Sequence, residues 1–134
     1  MNEIAIKTFT TADAFQSFSA NFLNNEICTR WLINRLHPDG AVCPHCQTKI
    51  IDETTLDNFA NMSRCKCKSC NKWFSATVGT ILHNAHLEPA EVYLLAVLLE
   101  LKIDIKTIAK ILGVHPGSIK NWKMKFEVCG LYGR

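Results

Sequence analysis

Two cysteine pairs, Cys43-Pro44-His45-Cys46 and Cys67-Lys68-Ser69-Cys70, stand twenty residues apart. This Cys-x2-Cys-x20-Cys-x2-Cys spacing constrains the chain more than any other feature in it. A two-residue gap lets both sulfurs of one turn face the same ion, and two such turns complete a tetrahedron that leaves no position for water. The spacing therefore predicts one structural ion, and four soft thiolates favour zinc over an iron–sulfur cluster, which can also take four cysteines. A chain of 134 residues that divides into modules leaves each too small for hydrophobic burial alone to be dependable, so a staple is expected. The cysteine total is seven; an odd number argues against a complete disulfide framework and favours a reducing compartment.

Cys65 offers a different partner to the ion through Cys65-Lys66-Cys67, but Cys67 with Cys70 repeats the gap of the first pair and is preferred. Cys28 and Cys129 fall in helical stretches and read as small buried apolar residues. His45 reads as solvent-facing, and His83 with His86 lacks the acidic or thiol partners that a second metal site needs.

Three segments separate by pattern, and together they predict a small α+β zinc protein. Residues 1–36 read as an N-terminal helix pair. Thr10 or Thr11 caps a helix carrying Phe15, Phe18 and Phe22, and Asn24 or Asn25 caps a second with Ile27, Cys28, Trp31 and Leu32 on one side. The turn His37-Pro38-Asp39-Gly40 then opens residues 37–87, a zinc ribbon with four cysteine ligands, where β-friendly residues around Trp73, Phe74, Val78, Thr80 and Ile81 predict short strands. Residues 88–134 read as three helices. Glu88-Pro89-Ala90-Glu91 suits a first turn, and the nearly all-apolar stretch to Leu101 must be covered on several sides, by its own core or by a partner chain.

The last two helices, Ile105–Leu112 and Pro116 to about Val128, enclose Gly113-Val114-His115 and suggest a helix-turn-helix. Small Ala109 permits a close crossing, while Ile119, Trp122 and Phe126 recur at core spacing. The opposite face carries His115, Gly117, Ser118, Lys120, Asn121, Lys123, Met124 and Lys125. Of these, His115, Ser118, Lys120, Asn121, Lys123 and Lys125 are the candidate contacts to double-stranded DNA. A merely solvated amphipathic helix has the same pattern. Charge adds to the DNA reading: residues 1–62 carry four basic and seven acidic groups, whereas residues 63–134 carry eleven and five. The N-terminus lacks the apolar run of a secretory signal, and the longest apolar run, Val92–Leu99, is too short to span a bilayer, so a cytoplasmic protein is expected.

The chain resembles the zinc-ribbon DNA-binding head of insertion-sequence transposases. The resemblance lies in Phe18, Phe22 and Cys28, in Leu36-His37-Pro38-Asp39-Gly40 ahead of the first cysteine pair, in Arg64-Cys65-Lys66-Cys67-Lys68-Ser69-Cys70, in Trp73 to Thr80, and in the helical tail. It implies zinc on Cys43, Cys46, Cys67 and Cys70, DNA recognition by the helix around Pro116 to Phe126, and a bacterial, nucleoid-associated protein. Cys65 departs from the family, which usually has an aromatic residue there. The family's DDE core, whose three acidic residues hold two metal ions, has no counterpart after the helix-turn-helix, where Glu127 is the one acid. The expectation is sequence-specific binding of transposon-end or operator DNA without catalysis. The alternative is a zinc-ribbon interaction module, homodimerisation included.

Overall fold

Each of the first two helices is started by a side chain that the sequence left as one of two options. The computed structural model describes residues 6–17 and 24–132, with side chains for 6–14 and 24–128. Thr10 opens α1 (Thr11–Ser17): its hydroxyl accepts the Asp13 N–H at 3.0 Å, and the Asp13 carboxylate accepts the Thr10 N–H at 3.4 Å. Asn24 opens α2 (Asn25–Leu36), its Oδ1 accepting from the N–H groups of Glu26 and Ile27 at 2.7 and 3.1 Å. The second residue of each pair reaches instead to α4 (Pro89–Glu100). Asn25 Oδ1 accepts the Ala90 N–H at 2.8 Å at the start of that helix, and the Thr11 hydroxyl donates to Glu100 Oε1 at 2.7 Å at its end. Phe18, Phe22 and the side chains of Phe15 and Cys129 lie outside the described residues.

The apolar α4 is covered by its own chain. Val92, Tyr93, Leu95, Ala96 and Val97 are buried, α1 and α2 pack on it, and α5 (Ile105–Leu112) meets it as well. Tyr93 resolves its buried hydroxyl by donating to the Ala14 carbonyl at 2.5 Å. Phe9 stands edge-on to Trp31 at 5.2 Å and to Phe126 of α6 (Pro116–Tyr132) at 5.3 Å, so the chain's first described residues join α2 to α6. One core thus draws on residues 9–36 and 81–126, while a second, smaller one gathers Ala41, Cys43, Phe59, Cys65, Cys67, Phe74 and Ala76.

The middle segment holds less strand than its composition predicts. Its one sheet pairs β1 (Cys65–Lys66) with β2 (Trp73–Phe74), antiparallel, in the register Cys65 to Phe74 and Lys66 to Trp73. Val78 and Ile81 lie in turns, and Thr80 makes a single bridge to Lys7. A helix absent from the sequence expectation, α3 (Glu53–Ala60), occupies part of the space; Asp52 caps it and accepts from the Thr55 N–H and hydroxyl. Two turns of helix with only Leu56, Phe59 and Ala60 apolar are too short to register as a period. Among the described residues no helix is long and apolar enough to cross a membrane.

His37 joins the two cores. As the ring faces the Ala76 carbonyl at 2.6 Å, Nε2–H donates there, which leaves Nδ1 to accept from the Lys7 ammonium at 3.2 Å. Both bonds belong to the neutral ring. Burial holds the His37 pKa below the ordinary histidine value, and the Lys7 charge adds to it against the opposing pull of the Ala76 carbonyl. The folded state therefore binds a proton less readily than the unfolded chain. Stability should be full above the unfolded value and be lost as pH falls from about 6.5 toward the lowered folded value. Thermal melting across that window should show a steeper pH dependence for the wild-type protein than for His37→Gln; equal slopes would remove this role. Leu95→Ala, which hollows the centre of α4, should cost about 2–5 kcal/mol in denaturant unfolding.

Candidate metal centre

The two cysteine pairs sit on turns of the same build. In the first, Cys43 N–H donates to the Thr48 carbonyl at 3.0 Å and Gln47 N–H donates to the Cys43 carbonyl at 2.9 Å. In the second, Cys67 N–H donates to the Lys72 carbonyl at 3.0 Å and Asn71 N–H donates to the Cys67 carbonyl at 2.8 Å. The residue after each second cysteine is left-handed, Gln47 at φ 65° and Asn71 at φ 62°. Each turn is also closed by a bridge in one register, Val42 with Lys49 and Lys66 with Trp73. In the sequence the likeness is confined to the Cys-x2-Cys gap; the rest of it resides in backbone bonds.

These turns bring the four thiols together, with all four Sγ atoms within 4.8 Å of one another. Cys43 and Cys70 are 3.8 Å apart, and Cys46 and Cys67 are 3.6 Å apart. A disulfide needs about 2.05 Å, whereas a tetrahedron with metal–sulfur bonds of about 2.3 Å has an edge of about 3.8 Å. The observed spacing fits four ligands around a single ion. The group can hold a metal ion and is consistent with one zinc. Cys43 and Cys67 are buried while Cys46 and Cys70 lie toward the surface, and the His45 N–H donates to Cys43 Sγ at 3.4 Å.

The electrostatics of the thiols favour uptake of a cation. The hydroxyl and N–H of Thr48 stabilise the Cys46 thiolate and bring its pKa down to about 6. Cys70 receives similar help from the Lys72 N–H, yet desolvation and the neighbouring Cys67, Cys43 and Cys46 push it up to about 11. One thiol ionises readily and another resists. A bound divalent ion removes that conflict, so binding must release protons.

Cys65 lies outside the group. It is buried against α3, where its thiol donates to the Ser63 and Thr55 carbonyls at 3.5 and 3.7 Å, and burial raises its pKa. Cys28 is buried in the larger core. His45 is exposed, with Nε2–H donating to the Trp73 carbonyl at 3.2 Å; His83 is exposed and His86 is exposed too.

On α6, Ile119, Trp122 and Phe126 are buried, and Ser118, Lys120, Asn121 and Lys123 are exposed. His115 acts locally, its Nδ1 accepting the Gly117 N–H at 2.9 Å to cap the helix. Lys125 is half-buried, its ammonium 3.5 Å from the Ile81 carbonyl and 4.5 Å over the Trp122 ring. Lys106 and Lys110 are also exposed, on α5, outside the face that the sequence pattern assigns to DNA. On the outer face of the hairpin Arg64 lies over Trp73, a cluster legible in the sequence only by pairing the residues that flank the second cysteine turn. No protein-family model, curated protein or solved structure matches the chain.

The ligand set makes a paired prediction. Cys67→Ser should lose the ion and melt at a lower temperature, whereas Cys65→Ser should retain one equivalent. A full equivalent in purified Cys67→Ser by elemental analysis would overturn the assignment.

Proposed function

We propose that the ion is zinc and that the chain is a zinc-dependent, sequence-specific DNA-binding protein, with α5 and α6 as a helix-turn-helix. The observation that carries this reading is the division of α6: Ile119, Trp122 and Phe126 are buried while Ser118, Lys120, Asn121 and Lys123 are exposed. The joint between the helices suits the motif. Asp104 caps α5 through the Thr107 N–H at 3.2 Å, Gly113 ends it at φ +71°, and buried Ala109 permits the close approach of α6. A helix presented this way enters the major groove with its N-terminal half toward the bases.

Roles follow from chemistry. Asn121 has the paired donor and acceptor that an adenine edge matches, and Lys120 reaches guanine acceptors. Lys123, with Lys106 and Lys110, serves phosphates. The Ile81 carbonyl and Trp122 ring hold Lys125 away from a base-reading role. The zinc group is structural, holding the middle segment while contributing no reaction. The resemblance to transposase heads supports transposon-end or operator DNA as the target, in a bacterial cytoplasm, with binding as the activity.

Binding-site selection followed by titration at several salt concentrations tests this. Asn121→Ala should relax preference at one base pair, a loss of about 1–3 kcal/mol of discrimination, while Lys123→Ala should weaken all sequences alike. With about four lysines on phosphates, the logarithmic salt slope should be about −3 to −4. A flat salt dependence, or unchanged preference in Asn121→Ala, would reject the reading.

A further inference from the structure

The β1–β2 hairpin has two unlike faces. Its register sets Cys65 opposite Phe74 on the buried side and Lys66 opposite Trp73 on the outer side. Trp73 remains 52% exposed there, with the Arg64 guanidinium 4.7 Å and the Lys66 ammonium 5.9 Å from its ring centre. His45 holds the Trp73 carbonyl from the other cysteine turn, which fixes the strand carrying the indole.

The surroundings are short of negative side chains. From Asn58 to Leu87 the chain contains no aspartate or glutamate, while Arg64, Lys66, Lys68 and Lys72 fall within that stretch. Asp52 pairs with Lys68 at 3.4 Å, so Lys68 is engaged, but Arg64 and Lys66 have the indole as their neighbour. The ligand cysteines together with a divalent ion carry negative charge beneath the hairpin, which leaves the cations on its outer face as the part a polyanion can meet.

We infer that Trp73, Arg64 and Lys66 form a platform for single-stranded nucleic acid. An indole with flanking cations stacks on a base while the cations take its phosphates. Only an unpaired strand supplies that combination, because in a duplex the base faces are already stacked. An acidic protein segment would satisfy the cations and leave the ring unused. The platform lies on a different element from α6 and goes beyond the duplex reading without resting on it.

The test uses the full, metal-loaded chain and a fluorescein-labelled oligothymidylate, with oligouridylate, duplex DNA and polyglutamate as further arms. Binding should quench tryptophan emission, since Trp122 is buried and Trp31 packs against the core. Trp73→Ala should weaken oligonucleotide binding at least about tenfold, Trp73→Phe should restore most of it, and Arg64→Gln should fall between. Trp73-dependent binding of either sugar supports the platform, and the ratio of the two affinities tells which nucleic acid it prefers. Equal affinity of wild type and Trp73→Ala, both with full metal content, would overturn it, as would polyglutamate quenching the emission as strongly as the oligonucleotide. If the wild-type protein binds oligothymidylate through Trp73 but no duplex, the α6 reading fails and the platform stands. Duplex binding with no dependence on Trp73 in the single-strand arm removes the platform alone.

Discussion

Four thiols held within 4.8 Å of one another set the terms for the middle of this chain. Thr48 eases the proton off Cys46, while burial and the neighbouring thiols hold the proton on Cys70. Cys43 and Cys67 share a core with five other buried small or aromatic residues, too little apolar surface to hold two turns, a short helix and a hairpin by burial alone. The free energy of an ion bound by the four thiols would be folding free energy for this segment. α3, the hairpin and the outward display of Trp73 all depend on the two turns keeping their places.

The helical part is organised on another principle. α4 is apolar on nearly every side and is stable because α1, α2 and α5 surround it. The two parts meet through a short length of chain. Lys7 N–H donates to the Gly79 carbonyl, Ile81 N–H donates to the Lys7 carbonyl, and His37 spans from Lys7 to Ala76. Two residues later Phe9 is wedged between Trp31 and Phe126. A change near residue 37 therefore reaches α6 through ring contacts, though the two lie in different parts of the sequence.

Much of this is legible in the sequence because strong local rules operate. The four ligand cysteines follow from paired spacing, the bounds of α5 from Ile105 and Gly113, and the inward side of α6 from Ile119, Trp122 and Phe126. What is hidden depends on contacts between distant residues. Asn25 and Thr11 look like spare caps until α4 lies beside them. α3 escapes because its two turns contain too few apolar residues, and Lys125 passes for an exposed base until Ile81 and Trp122 surround it. Cys65 is ambiguous in one dimension and unambiguous once α3 faces it.

The grips at either end of α4 have a consequence for how this chain tolerates change in length. Asn25 holds the helix at Ala90 and Thr11 holds it at Glu100, so the helix between them works as a gauge cut to one size. A single inserted residue would lengthen it by about 1.5 Å and turn everything beyond by about 100°, so that one grip or the other must open. The number of residues in α4 is therefore as constrained as the side chains it buries.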